Sequence, residues 1–160
     1  MLEPGSKAPD FVVQDGQGQD VTLKDLLADG PLILYFYPAD FTPGCTREAC
    51  QIRDLHTDIQ AAGLDVVGLS PQDPESHRRF SEKHNLPFRL LCDPDKVVIR
   101  MYDVDGPFGV GVRRATFLID QDRTIRDAVL ADVRIGKHTE FIEKAIALHK
   151  SAAAEGSEAG

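Results

Sequence analysis

Hydrophobic residues in this chain form two kinds of pattern, short continuous runs and stretches with helical spacing. Continuous apolar runs at 32–37, 64–70, 88–91 and 115–120 predict strands, and the second is apolar enough to be buried on both faces. Between and after them, apolar positions recur at steps of three and four, most clearly over 49–62 and 141–148, which predicts helices. Strands that alternate with helices in this way favour an α/β fold with a mixed sheet flanked by helices.

Turn residues divide the rest of the chain. A turn at 15–18 predicts an N-terminal β-hairpin over 11–23, and a turn at 121–123 predicts a second hairpin that ends at 130. Shorter helices are expected around 26–27, from Pro74 to about Asn85, and over 97–101, and Gly63 is the expected stop of the helix before it. We expect one domain over 1–150, and a mobile tail over 151–160, where only Ala, Gly, Ser and Glu occur.

Composition excludes several classes of protein. The chain has 160 residues, of which 42% are hydrophobic and 28% charged, as is usual for a globular domain. Its net charge of −8 gives no basic surface for nucleic acid or anionic membrane. No apolar run reaches the ~20 residues of a membrane span, and the first residues lack the pattern of a signal peptide. We therefore expect a cytoplasmic protein, in which three cysteines indicate a reactive thiol rather than a disulfide framework.

Cys45 has the sequence context of a reactive thiol. The apolar run 32–37 stops at Pro38, Pro43 and Gly44 form a second break, and helical spacing begins soon afterwards. Cys45 is thus expected in the first turn of a helix, where unpaired N–H groups and the helix dipole favour the thiolate. Thr42 could direct its hydroxyl at a bound oxygen, and Pro38 could cover one wall of the pocket.

Cys50 follows five residues later on the same predicted helix. Residues i and i+5 of an intact helix point in different directions and lie at or beyond the ~7 Å Cα separation that a disulfide allows. A bond between the two cysteines therefore requires the start of the helix to unwind. The alternative is that Cys50 is only a small buried core residue.

The segment from Tyr37 to Cys50, YPADFTPGCTREAC, resembles the active-site segment of the peroxiredoxins, and among them the PrxQ or bacterioferritin comigratory protein group. The resemblance extends to about residue 150 and implies a thioredoxin-like fold, with the 11–23 hairpin as an N-terminal extension. It also implies that Cys45 reacts with peroxide and that Cys50 resolves the product. In the same pattern Pro38, Thr42 and Glu48 fall on site positions.

An arginine is expected near the thiolate, because charge grows on the peroxide oxygens during attack. Arg113 and Arg114 both precede the strand at 115–120, and neighbouring strand residues face opposite sides. The family pattern Arg-x-Thr/Ser-Phe-Leu-Ile-Asp favours Arg114, and the resemblance implies that Glu48 holds this arginine in place. Either arginine alone could instead be a solvated charge at a strand end.

Cys92 and the histidines have simpler interpretations. Cys92 is expected to be a small half-buried residue, although a third redox role is the alternative. None of the five histidines has ligand spacing with the cysteines, so a zinc site is not expected. We interpret His56 and His138 as surface or packing residues.

The resemblance predicts a thiol peroxidase for hydrogen peroxide and organic hydroperoxides that needs no metal, haem or flavin. A Cys45–Cys50 disulfide would be reduced by thioredoxin or a glutaredoxin. Two alternatives stay open: a dithiol–disulfide oxidoreductase acting on proteins, for which Cys-x-x-Cys spacing would be more typical, and a peroxide-sensing module. We expect a monomer that binds neither nucleic acid nor membrane.

Overall fold

The computed structural model describes the backbone of residues 1–159 and the side chains of residues 1–150. Seven strands form one sheet in the order β2-β1-β5-β4-β3-β6-β7. The strands are β1 (Val12–Asp15), β2 (Asp20–Thr22), β3 (Leu32–Phe36), β4 (Asp65–Ser70), β5 (Arg89–Cys92), β6 (Ala115–Ile119) and β7 (Ile125–Leu130). The helices are α1 (Leu23–Leu26), α2 (Pro43–Ala61), α3 (Pro74–His84), α4 (Val97–Met101) and α5 (Gly136–Ala159).

The sheet is mixed, as the sequence predicts. Strand β3 lies near its centre, parallel to β4 and antiparallel to β6, and β4 is also parallel to β5. The N-terminal hairpin joins the same sheet, because β1 pairs antiparallel with β5. The predicted extension is therefore an edge of the central sheet.

Alternate residues of β3 enter two hydrophobic cores, one on each face of the sheet. Leu32, Leu34 and Phe36 pack on the face covered by α1 and α4. Ile33 and Tyr35 pack on the other face, with residues of α2, α3 and α5. This alternation, expected for a strand buried on both sides, places the loop after β3 at the edge of the second core.

The ends of the helices follow local rules. Pro74 is the first residue of α3, whose N-cap Asp73 accepts a hydrogen bond from the Ser76 backbone. Asn85, in the left-handed conformation, ends α3, and Gly63, with φ of +78°, follows α2. The loop between α4 and β6 contains a 3-10 turn, Pro107–Gly109. Helix α5 continues past residue 150 to Ala159. The mobile tail predicted over 151–160 stays a prediction, because it lies outside the residues whose side chains the structure describes.

Candidate active site

Cys45 lies at the third position of α2, directly after the loop that leaves β3. Its side chain is 2% exposed. Pro43 occupies the helix start, and Thr42, the N-cap, makes no side-chain capping bond to the first turn. The N–H groups of this turn are therefore open to a bound oxygen, because a helix cannot pair them internally.

An ion pair lies directly behind the sulfur. Arg114 donates one hydrogen bond from Nη2 to Cys45 Sγ at 3.4 Å and another from Nη1 to Glu48 Oε1 at 2.8 Å. Glu48 stands one turn after Cys45 in α2, so both groups face the same guanidinium. Gly44 allows this approach, because a Cβ there would lie 3.3 Å from both Arg114 Nη2 and Ile135 Cδ1.

Burial perturbs both members of this pair. Desolvation raises the pKa of Glu48 to about 7, although the charge and hydrogen bond of Arg114 oppose that rise. Burial likewise disfavours the Arg114 cation, yet the charges of Glu48 and Cys45 hold its pKa above the usual value. A permanent cation is thus fixed beside the sulfur, with a carboxyl group that changes its protonation near neutral pH.

Arg113 points away from Cys45. Its guanidinium pairs with Asp132 at 2.8 Å on the surface, where both side chains are more than a third exposed. The backbone N–H of Arg114 also donates to Asp132. The structure therefore brings Arg114, and not its neighbour, to the cysteine.

Thr42 and Pro38 lie at the mouth of the site. The Thr42 hydroxyl donates to the Ala39 carbonyl at 2.9 Å, so it can donate to a bound oxygen only if that bond exchanges. Pro38 is half-buried and lines a shallow groove that reaches Arg114 and is also lined by Pro107, Val110 and Val112. The groove combines an apolar wall with one buried cation.

Cys50 is not bonded to Cys45 in this structure. All three cysteines are free, Cys50 is half-buried, and α2 is helical from Pro43 to Ala61. The geometry is that of a reduced form with an intact helix.

Cys92 ends β5 and is buried rather than half-buried. Its Sγ lies 3.8 Å from the carbonyl oxygen of Asp15. Burial, followed by the nearby carboxylates of Asp40, Asp15 and Asp73, raises the pKa of this thiol to about 12. At neutral pH Cys92 is therefore a thiol and not a thiolate.

Asp40, in the loop between β3 and α2, forms a buried hydrogen-bonded cluster that sequence reasoning missed. It accepts hydrogen bonds from Tyr37 at 2.6 Å and from Ser76 at 2.8 Å, and its Oδ2 lies 2.7 Å from His77 Nδ1. Burial raises the pKa of Asp40, but the His77 contact and the two hydroxyl bonds outweigh it and hold the pKa below the usual value. The cluster connects the loop to α3. In the sequence, the position of His77 on the apolar face of α3, three residues before Phe80, could have indicated that this histidine is buried.

His138, in the first turn of α5, is completely buried. Its Nε2 lies 2.8 Å from the Ala131 carbonyl and its Nδ1 2.8 Å from Thr116 Oγ1. Nδ1 is also 3.9 Å from Glu48 Oε2. His138 is a packed residue, as one of the two sequence interpretations holds, but it packs against the candidate site. Its place on the apolar stripe with Ile142 and Ala145 could have indicated this.

Two further features are absent from the described part of the chain. No group of three or more His, Cys, Asp and Glu side chains there is arranged to hold a metal ion. Within the same residues, none of the helices has the length and hydrophobicity that crossing a membrane requires.

Comparison with known proteins gives the family. The model of the AhpC/TSA family matches residues 4–128. Peroxiredoxin Bcp of Bacillus subtilis is 42% identical over 127 residues, which cover 76% of this chain and 80% of that protein. Peroxiredoxin Q of the chloroplasts of Gentiana triflora is 39% identical over 126 residues, covering 78% of this chain and 58% of that protein.

Solved structures agree with the sequence comparison. Peroxidoxin BcpB of Mycobacterium tuberculosis superposes with a TM-score of 0.85 and 34% identity, covering 94% of this chain and 98% of that one. The bacterioferritin comigratory protein of Xanthomonas campestris, in structures that address its alkyl peroxide reduction activity, gives a TM-score of 0.79 and 28% identity. This superposition covers 96% of this chain and 98% of the chain of that protein. The thioredoxin-like fold is thereby confirmed, and the chain belongs to the AhpC/TSA family as a peroxiredoxin of the Bcp or peroxiredoxin Q group.

Proposed function

We propose that Cys45 is the thiol with which this thiol-dependent peroxidase attacks hydroperoxides. The observation that carries the proposal is the contact of Cys45 Sγ with Arg114 at 3.4 Å, in the open first turn of α2. A thiolate is the nucleophile in this chemistry, and a fixed cation together with unpaired N–H groups stabilises it.

The attack forms an S–O bond and breaks the O–O bond. The thiolate becomes a sulfenic acid, and the leaving oxygen takes a proton and departs as water or alcohol. Negative charge grows on the leaving oxygen in the transition state, where Arg114 and the Cys45 backbone N–H are available as donors. Thr42 joins them if its hydroxyl leaves the Ala39 carbonyl. Glu48 orients the guanidinium, and Pro38 shields the groove from water.

Cys50 is proposed as the resolving thiol. Its sulfur attacks the sulfur of the Cys45 sulfenic acid, water leaves, and an intramolecular disulfide forms. An external dithiol of the thioredoxin type then reduces this bond, and we propose thioredoxin or a glutaredoxin as that partner. Cys92 takes no part, because its thiol is buried and protonated at neutral pH.

We propose hydrogen peroxide and small organic hydroperoxides as substrates. The alkyl peroxide reduction activity of the Xanthomonas campestris relative supports the second class, and the apolar wall of the groove beside Arg114 suits an alkyl tail. We further propose one functional domain over 1–150, a monomeric state and a cytoplasmic location, the last because free thiols persist in a reducing compartment. The family assignment does not favour the dithiol–disulfide oxidoreductase or the peroxide sensor.

A coupled assay tests the proposal. Continuous consumption of hydroperoxide is followed with thioredoxin, thioredoxin reductase and NADPH, for the wild type and for three cysteine-to-serine variants. Cys45→Ser should abolish both peroxide consumption and sulfenic acid formation. Cys50→Ser should form a sulfenic acid that dimedone traps, but should not turn over with thioredoxin.

The matched control is Cys92→Ser, which should retain most of the activity. If Cys92→Ser stops turnover while a sulfenic acid still accumulates at Cys45, then Cys92 and not Cys50 resolves it. Persistent peroxide consumption in Cys45→Ser would refute the assignment of the reacting thiol.

A further inference from the structure

Glu48 has one carboxylate oxygen without a hydrogen-bond partner, although the side chain is buried. Oε1 accepts from Arg114, but Oε2 has no partner among the described residues. The group nearest to it with a titratable nitrogen is the fully buried His138, whose Nδ1 lies 3.9 Å away. An unpaired oxygen in such a place is costly unless it carries or receives a proton.

The protonation state of His138 follows from its other contacts. Nε2 faces the Ala131 carbonyl at 2.8 Å, and because a carbonyl can only accept, Nε2 carries a hydrogen. Burial lowers the pKa of His138, against the opposing effect of the Ala131 bond, so the ring is neutral at neutral pH. Nδ1 then presents a lone pair, and the Thr116 hydroxyl at 2.8 Å can donate to it or accept from it as the ring requires.

An ionised Glu48 and a neutral His138 would therefore face each other as two acceptors. Such a pair gains nothing from its proximity unless one member carries a proton. None of the other groups around it donates a hydrogen bond to Oε2, although the Tyr35 hydroxyl and Arg114 Nε carry hydrogens and also lack partners. They are a permanent cation, a buried phenol, a thiol and a surface carboxylate. These are Arg114 before β6, Tyr35 of β3, Cys45 of α2 and Asp132 after β7.

Charge balance leads to the same conclusion. With Cys45 as thiolate and Glu48 ionised, two anions would share the Arg114 cation in a site where all three side chains are buried. With one proton on the Glu48–His138 pair, the site contains one anion and one cation and has no net charge. A buried site favours the second arrangement, since an uncompensated buried charge costs several kcal/mol.

Building on the proposed role of Cys45, we propose that Glu48 and His138 hold one proton between them in the reduced enzyme. Through this proton His138, a positioning residue, sets how much of the Arg114 charge acts on the Cys45 thiolate. When the carboxyl is protonated, Arg114 acts almost entirely on sulfur. When it is ionised, the cation is divided between sulfur and carboxylate, and the two groups titrate as a coupled pair.

The test measures the pH midpoint of thiolate formation in a protein that carries Cys50→Ser and Cys92→Ser. Cys45 is then the only thiol, so its ultraviolet titration and its alkylation rate report the sulfur whether or not it is the peroxide-reacting residue. Failure of the proposed function therefore cannot be confused with failure of this inference. His56→Gln, a change in the second half of α2, serves as the control.

His138→Gln is the informative change, because its amide can still donate to the Ala131 carbonyl while the acceptor near Glu48 is lost. The pH midpoint of Cys45 thiolate formation should rise by about one pH unit. At a pH well below that midpoint, the thiolate fraction then falls about tenfold. Glu48→Gln, which mimics the protonated carboxyl, should lower the midpoint. In the presence of Glu48→Gln, the additional His138→Gln change should shift the midpoint no further.

Three results would overturn the proposal. The first is an unchanged midpoint in His138→Gln. The second is an equal rise with and without Glu48→Gln, because His138 would then act on sulfur independently of the carboxyl. The third concerns His138→Asn, which offers an amide oxygen near the Nδ1 position but loses the hydrogen bond to the Ala131 carbonyl. A larger rise of the midpoint in this variant than in His138→Gln would indicate a purely structural role.

Discussion

Arg113 and Arg114 are adjacent in sequence but lie in very different environments. Arg113 pairs with Asp132 on the surface, whereas Arg114 is buried between Glu48 and the sulfur of Cys45. An exposed ion pair contributes on the order of 0–1 kcal/mol, but a preorganised donor in a closed site acts directly on the transition state. Of the two arginines, only Arg114 is placed to act in the proposed attack of Cys45 on peroxide.

We therefore expect Arg114→Ala to slow the reaction of Cys45 with hydroperoxide by a factor of about 10²–10³, equivalent to about 2.7–4 kcal/mol. Arg113→Ala, as the matched control, should change the rate little. Stopped-flow oxidation at a fixed pH measures both, with circular dichroism to verify that each variant is folded. Equal losses in the two variants would refute the choice of Arg114.

Glu48 predicts an unusual dependence of stability on pH. Burial raises the pKa of its carboxyl from 4.5 to about 7. Between these values the folded protein keeps a proton that the unfolded chain has lost, so the folded state binds more protons. Stability from this group is complete below about pH 4.5 and is lost as the pH rises to about 7, by at most about 3 kcal/mol.

Urea unfolding of wild type and Glu48→Gln at pH 5 and pH 7.5 checks this sign. The wild type should lose more unfolding free energy than the variant as the pH rises, because an amide does not titrate. The same change at the exposed Glu143 of α5 should leave the difference unaltered. A wild type that gains stability relative to Glu48→Gln over this interval would show that the carboxyl is ionised throughout.

The proposed disulfide places two requirements on helix α2 that exclude each other. In the reduced form the helix runs unbroken from Pro43 to Ala61 and presents Cys45 in its first turn. A disulfide between Cys45 and Cys50 needs Cα atoms within about 7 Å and converging side chains, which i and i+5 of a helix do not provide. The proposed Cys45–Cys50 disulfide therefore requires the segment from about Thr42 to Cys50 to unwind.

Unwinding would remove Cys45 and Ala49 from the second hydrophobic core and would break contacts with the segments around α5 and β6. Ile135 covers Gly44, Arg114 pairs with Glu48, and Thr139 donates to Gln51 at 2.6 Å. The start of α5 thus holds the first turns of α2 in place. Phe41, in the loop before them, has a φ of +64°, a conformation that a bulky residue rarely adopts. This strain makes the loop a favourable place for opening.

Hydrogen exchange of the reduced and oxidised proteins tests the opening. Amide protection from Arg47 to Gln51 should fall sharply on oxidation, because those helical hydrogen bonds are lost. Amides of β3 and β4, in the centre of the sheet, should keep their protection and serve as internal controls. An unchanged pattern at 47–51 would mean that the helix stays intact or that Cys50 is not the partner.

Across the whole molecule, the features that could be predicted from the sequence are those that depend on neighbouring residues. Apart from the C-terminal end of α5, each strand and helix lies within a few residues of its predicted position, because apolar periodicity and turn residues act over short distances. Cys45 at the start of α2 and Arg114 beside it were also predicted. The pairing of β1 with β5 was not, since it joins segments almost eighty residues apart.

The same limit explains the residues that were missed. Asp40 and His77 are 37 residues apart, and Glu48 and His138 are 90 apart. The residues next to either histidine in the sequence do not indicate which distant carboxylate it contacts. A polar residue on an apolar helix face indicates only that the residue is buried. The predicted half-exposure of Cys92 was wrong for a related reason, because β1 covers the end of β5.

The central claim is that oxidation joins Cys45 to Cys50. The most direct test treats the reduced protein with one equivalent of hydrogen peroxide, blocks the remaining thiols and maps tryptic peptides without reduction. Trypsin cleaves after Arg47, between the two cysteines, so the disulfide should link peptide 25–47 to peptide 48–53. Cys92 should be recovered as the blocked thiol in peptide 90–96; a link between peptides 25–47 and 90–96 would contradict the account.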